Sequence, residues 1–220
     1  MTSQLPSIVE HRRFRSPAVT PQALAWHDGN LWLGSRDLRR VYGIDVDDWR
    51  VFEEREAPGI PWAAVSTGKE LRMTIGEGEN DDRYMWSYTP GKGFSDHGRF
   101  AYPDFTGSYV SFDGSNLYMS QWYKARILQL ASDGQVVRTV QIPGEISGHV
   151  FVDGAFYVLR GTEKEGESWT IAKFDPGTDR PEVRDLAVVP FACRSLTYDG
   201  RHFWSNFRAG GETISFSLPD

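Results

Sequence analysis

The chain has 220 residues, 40% hydrophobic and 14% aromatic, with 22 glycines and a net charge of −6 from 24 basic and 30 acidic side chains. That balance argues against nucleic acid or an anionic membrane surface as partner, and no run approaches the roughly 20 apolar residues of a membrane span. The opening "MTSQLP" has no apolar signal core and the single cysteine, Cys193, excludes an internal disulfide framework, so the expectation is a soluble, cytoplasmic, monomeric protein.

In chain order, "SIVEHRRFRSP" (7–17) reads as one isolated strand ended by Pro17. A four-strand unit follows. "ALAW" and "NLWL" flank a turn at Gly29, and "RVYGIDV" and "RVFEERE" run on to Pro58. The second unit has "WAAV", Gly68, "ELRM", "RYMWSY" and "FSDHGRFAY", ending at Pro103. The third has "YVSF", Gly114, "NLYM", "RILQLAS" and "QVVRTVQI", ending at Pro143. The fourth has "GHVFV", Gly154, "AFYV", "WTIAKFD" and "EVRDLAVV", ending at Pro190. The fifth has "RSLTY", Gly200, "HFW" and "TISFSL", with no fourth strand.

A glycine turn between two β-rich runs is a hairpin signal, because glycine tolerates positive φ. Four strands on a period near 40 residues mark a β-propeller blade. Proline after each fourth strand suits an outer edge, where no ladder donor is needed. Sustained helical spacing is absent. An open β-sandwich would hold as many strands, but a ring explains five regular units and one missing strand. The expectation is therefore an all-β, five-bladed propeller of four-stranded antiparallel blades. Its blades span 18–58, 59–103, 104–143, 144–190 and 191–220, the last completed by 7–16 in a single domain. Closure of this kind removes two exposed strand edges.

In a propeller, the loops into the innermost strands and those after the second strands share the face around the central channel, the default pocket. Taking His27 as an extra residue of the first turn, the units align at this mouth as Gln22, Trp62, Ser108, Gly148 and Arg194. One step deeper lie Ala23, Ala63, Tyr109, His149 and Ser195. Arg194 offers a planar donor fork to a carboxylate or phosphate, or else bridges to Glu145 or Asp104. His149 is a general acid/base or metal ligand, or simply a hydrogen-bonded side chain. Gln22, Ser108 and Tyr109 supply polar groups. Trp62 and Trp122 are aromatic walls or core. Cys193 is a nucleophile or an inert buried residue. The loop "GEGENDDR", with Glu77, Glu79, Asp81 and Asp82, is a hard-cation loop or a solvated tip. The loop "GTEKEGES" is a flap over the mouth or another charged tip.

The segments "TPQALAWHDGNLWLGSRDLRRVYGIDV" and "SFDGSNLYMSQWYKARILQLASDGQVVRTVQI" resemble repeats of the plant-type glutamine cyclotransferases, and more loosely those of NHL and SMP-30/gluconolactonase propellers. Thr20, Gln22 and Leu24 match that family's Thr-Gln-Gly-Leu-like start. Gln121, Trp122, Arg126 and Ile127 match a later Asn-Val-Trp and Asp-Arg-Ile-like segment. The resemblance implies a five-bladed propeller. The acidic residues that it implies at the innermost strands fall here on Trp62, Ser108 and Gly148, and the metal-ligating Glu of SMP-30-like lactonases on Gln22 or Ala23. No metal or other cofactor is expected.

Two function classes follow. In one, a small polar or anionic molecule is held at the channel mouth by Gln22, Trp62, Ser108, Trp122 and Arg194, with cyclase, lyase or hydrolase-type chemistry through His149 and Tyr109. In the other, a non-catalytic propeller presents its mouth or rim to a ligand or a protein partner.

Overall fold

The computed structural model describes residues 5–163 and 168–219. The first strand, β1 (Val9–Arg15), stands apart in sequence from the blade that it joins. Blade one is β2 (Pro21–His27), β3 (Asn30–Ser35), β4 (Arg40–Asp45) and β5 (Arg50–Glu56). Blade two is β6 (Ile60–Ser66), β7 (Leu71–Glu77), β8 (Asp82–Thr89) and β9 (Gly93–Ala101). Blade three is β10 (Val110–Phe112), β11 (Leu117–Gln121), β12 (Arg126–Leu130) and β13 (Val136–Gln141). Blade four is β14 (Glu145–Val152), β15 (Ala155–Thr162), β16 (Ser168–Phe174) and β17 (Arg184–Val189). Blade five is β18 (Cys193–Tyr198), β19 (Phe203–Phe207) and β20 (Glu212–Ser217), with β1 as its outermost strand.

The fold is the expected five-bladed β-propeller, and the N-terminal strand closes it. β1 runs antiparallel to β20, from Val9 opposite Ser217 to Arg15 opposite Glu212. Arg13 pairs with Glu212 across this seam. The seam is also tied to blade one: Phe14 stacks on Trp49 at 4.2 Å, and the Trp49 indole donates to the Arg15 carbonyl at 2.7 Å.

The hydrophobic core is a ring of inter-blade layers. Trp32 and Tyr88 pack blade one on blade two; Met85 and Leu128 pack blade two on blade three. Tyr118 and Phe156 join blades three and four, Trp169 and Phe216 join four and five, and Trp204 with Leu31 joins five back to one. Each blade therefore buries both faces, at roughly 25 cal/mol for every Å² of apolar surface removed from water. The outermost strands β1 and β5 alternate toward exposure, as a half-solvated edge should.

One detail of the repeats differs from the sequence reading. His27 is no turn residue: it ends β2 opposite Asn30, and its Nδ1 meets the Ser66 hydroxyl at 2.7 Å. The first turn is in fact tight, with Asp28 and Gly29 alone, at φ 48° and 75°. Blade four is built the same way, with Asp153 and Gly154 at φ 48° and 81°. Blades two, three and five have four residues between the paired strand ends. The extra residue of blades one and four lies in the strand, because a two-residue turn needs both central residues at positive φ and gives its remaining length to the ladder. Gly148 is accordingly one step deeper than its alignment with Gln22 implied. A Cβ there would sit 2.6 Å from the Ser195 backbone carbon, so glycine is what lets blades four and five approach.

Candidate functional site

The innermost strands do not run flat to the channel mouth. β2 is bulged at Gln22, β6 at Trp62 and β14 at Ser147, and β18 shifts register between Arg194 and Thr197. A bulge places two residues opposite one and re-aims the side chains beside it. At this end of the channel lies a cavity of about 410 Å³. Of the residues expected there, Trp62, Ser108, Tyr109, Trp122 and Arg194 line it. Gln22 is buried at its base and His149 is not part of its wall.

Gln22 organises the base. Its Oε1 accepts from Arg208 Nη1 at 2.7 Å, and its Nε2 donates to the Tyr109 hydroxyl and to the Trp62 carbonyl, both at 3.2 Å. Its backbone carbonyl accepts from the Ser195 hydroxyl at 2.7 Å. One side chain thus joins blades one, two, three and five. Burial pushes the Tyr109 phenol up to about 12, so at neutral pH it is a neutral donor and acceptor.

The walls are aromatic and guanidinium groups in layers. Arg83 lies over the Trp62 ring at 3.9 Å, and both donate to Asp81, at 2.6 Å from Arg83 Nη2 and 3.0 Å from the indole nitrogen. Arg194 lies over Trp122 at 5.0 Å and over Trp169 at 5.5 Å, within cation–π reach. Ser108 receives the Trp122 backbone N–H at 3.2 Å, which fixes the turn carrying that indole.

The charge balance of the mouth is the reverse of the molecule's. Five cationic side chains line it: Arg36, Arg83, Lys124, Arg194 and Arg208. Glu163 is its lone carboxylate among the described residues. Arg36 is paired with Asp37, Arg83 with Asp81, Lys124 with Asp104, and Arg194 with Glu163 at 2.7 Å. Arg194 therefore bridges to Glu163, not to Glu145 or Asp104. Arg208 differs from the others: its partner is the neutral Gln22 amide, and among the described residues no carboxylate lies within ion-pair distance of it. Its pKa is lowered from the usual guanidinium value, first by burial and then by the neighbouring Arg194, though a guanidinium remains charged at neutral pH.

His149 sits below this layer. Its Nε2 lies 3.2 Å from the Tyr109 carbonyl, which can only accept, and its Nδ1 lies 2.7 Å from the Ser111 hydroxyl. Burial pulls its pKa down to about 4. It is a neutral inter-blade side chain with both ring nitrogens engaged, and it does not line the cavity. Cys193 is likewise buried in the layer between blades four and five, with Sγ 3.3 Å from the Ser147 hydroxyl. In the acidic loop, Glu77 accepts from Trp86 and Arg99, and Asp81 serves Arg83 and Trp62. Residues 164–167 of the expected flap lie outside the described residues.

Arg36, Glu163 and Arg208 lie outside the innermost strands, so the repeat pattern of those strands does not single them out. Each directly follows the second strand of its blade, after Ser35, Thr162 and Phe207. A second alignment on those strand ends, which feed the same face, carries the missing signal.

No protein-family model matches the sequence, and no curated protein matches it. Solved structures match it in fold. A glutaminyl cyclase from Myxococcus xanthus superposes with a TM-score of 0.72 at 13% identity, covering 99% of this chain and 100% of that one. A PQQ-bound aldose sugar dehydrogenase from Streptomyces coelicolor gives 0.62 at 12% identity, covering 98% and 100%. A Bacteroides thetaiotaomicron protein of unknown function gives 0.62 at 15%, covering 99% and 75%. At such identities the likeness is one of fold, and function must be argued from the site.

Proposed function

We propose that this protein binds a small anionic molecule at the mouth of its central channel. The observation that carries this reading is Arg208, a partly buried cation held in place by Gln22 and, among the described residues, with no carboxylate within ion-pair distance, Glu163 acting on it only at longer range, beside four paired cations. A charge removed from water without a counterion is costly, and a ligand anion meets that cost at the base of a cavity where a planar fork recognises carboxylates well. The Tyr109 hydroxyl, which accepts from Gln22, keeps its own proton for the same ligand. Titration calorimetry with acetate is the direct test. Binding that Arg208→Gln abolishes supports the reading, and wild-type protein that takes up no simple carboxylate refutes it.

A catalytic reading rests on Glu163. It is a carboxylate beside Arg194 in a cavity that Tyr109 also lines, and a carboxylate so placed can accept and return a proton. An enzyme of cyclase, lyase or hydrolase type and a non-catalytic binding propeller share the same anion subsite. The fold likeness to a glutaminyl cyclase favours testing turnover on carboxylates, lactones and amino-acid derivatives. Loss of turnover in Glu163→Gln, with acetate binding retained, would assign the chemistry.

A further inference from the structure

We infer that the ligand is a flat, aromatic monocarboxylate. This rests on the anion-binding reading and adds two properties to it, the number of charges and the shape of the body.

The number comes from the ion pairs. Of the cations that line the cavity, Arg208 alone has no carboxylate within ion-pair distance among the described residues. A single carboxylate on Arg208 and the Tyr109 hydroxyl completes the site. A second negative charge would have to break a protein ion pair such as Arg83–Asp81, or sit beside Glu163. A free ammonium would add a second cation beside Arg208, unpaired among the described residues. The site therefore selects one negative charge and disfavours both a dianion and an amine.

The shape comes from the walls. The apolar surface of the cavity is supplied by Trp62, Tyr109 and Trp122, with the solvent-exposed Tyr123 at its rim, and no Leu, Ile, Val or Met lines it among the described residues. Tyr109 and Trp122 lie 6.1 Å apart, centre to centre. The Trp62 ring is fixed by Arg83 over its face and Asp81 at its nitrogen, so it costs little further order when a ligand packs against it. Rigid rings meet a flat ring by offset or edge contacts worth about 0.5–1.5 kcal/mol beyond the area buried. At about 410 Å³ the cavity lies near the small end of ligand pockets, which run from about 300 to 1,000 Å³.

The test is a calorimetric panel on the wild-type protein with benzoate, cyclohexanecarboxylate, phthalate, acetate and benzamide. Benzoate should bind at least tenfold more tightly than cyclohexanecarboxylate, which has the same charge in a puckered body, and than phthalate, which adds a charge. Benzamide should not bind. Trp62→Leu should reduce benzoate affinity at least fivefold more than it reduces acetate affinity. A benzoate preference smaller than tenfold over either competitor, or Trp62→Leu without effect on benzoate, overturns the inference while acetate binding keeps the broader reading intact. Failure of every carboxylate to bind removes both. The panel uses wild-type protein alone, so it decides the matter even where Trp62→Leu does not fold.

Discussion

Gln22 Oε1 and Arg208 Nη1 meet at 2.7 Å although 186 residues separate them in the chain. The contact crosses the seam where blade five closes on blade one. Only a closed ring brings those residues together, so the anion site and the closure of the fold depend on each other.

Replacing Gln22 tests that dependence. Gln22→Leu leaves Arg208 without its acceptor and the Trp62 carbonyl without its donor. An unsatisfied buried polar group costs about 1–3 kcal/mol, so urea unfolding should show a loss of that order and acetate binding should weaken at least tenfold. Gln22→Glu should separate the two effects. Its carboxylate would occupy Arg208 from within, and anion binding should vanish even where the protein remains well folded by circular dichroism.

Glu163→Gln should act in the opposite direction. The carboxylate that faces Arg194 repels a second anion in the same cavity. Its side chain is 36% exposed, so its influence is that of a surface pair, up to about 1 kcal/mol. Acetate affinity should rise about twofold to fivefold, and the gain should shrink as ionic strength is raised. Unchanged affinity at low salt would place Glu163 outside the ligand's field.

The stability of the fold should carry the signature of His149. Its folded pKa of about 4 lies below the ordinary 6.5. Between those values the unfolded chain binds a proton that the folded chain does not, so stability rises with pH across this window. The contribution is fully present above pH 6.5 and disappears as pH falls through 4. It is on the order of 3 kcal/mol, since each unit is worth about 1.4 kcal/mol. Comparing wild type with His149→Gln by denaturant unfolding, the gap in stability should narrow by about 2–3 kcal/mol between pH 7.5 and pH 4.5. A gap that does not move with pH would mean that His149 titrates normally. Acetate binding at neutral pH should be the same in both proteins.

Removing residues 1–16 deletes β1 and exposes the ladder edge of β20 together with Phe216 and Ile214 of the core beneath. The shortened protein should melt at least about 10 °C lower and self-associate on size exclusion, because an unpaired, apolar strand edge is a template for pairing. Unchanged melting as a monomer would show that blade five holds without its fourth strand. If it folds at all, it should bind acetate poorly, since Arg208 follows β19 of that blade.

The architecture of this protein is legible in its sequence alone, and the reason is physical. A blade is a local object: a glycine turn, alternating strands and a proline at the outer edge all fall within 40 residues, and repetition makes the signal redundant. The missing fifth-blade strand could be found for the same reason, since "SIVEHRRFRSP" fits a vacancy that the pattern defines. Trp62, Ser108, Tyr109, Trp122 and Arg194 could be placed at the mouth because strand position fixes which end of the channel a residue occupies. Depth was harder. Two-residue turns in blades one and four shift those strands by one step against the others, and composition alone does not show how a turn divides its residues. Alignment on the turns sets His149 too near the mouth for that reason; in the structure it lies below it between Ser111 and the Tyr109 carbonyl. Which cation is left without a carboxylate is a matter of packing between blades. Arg36, Arg83, Lys124, Arg194 and Arg208 look equivalent in sequence. Their difference arises from distances of a few ångströms between side chains of different blades, and Coulomb pairing falls off over that same length.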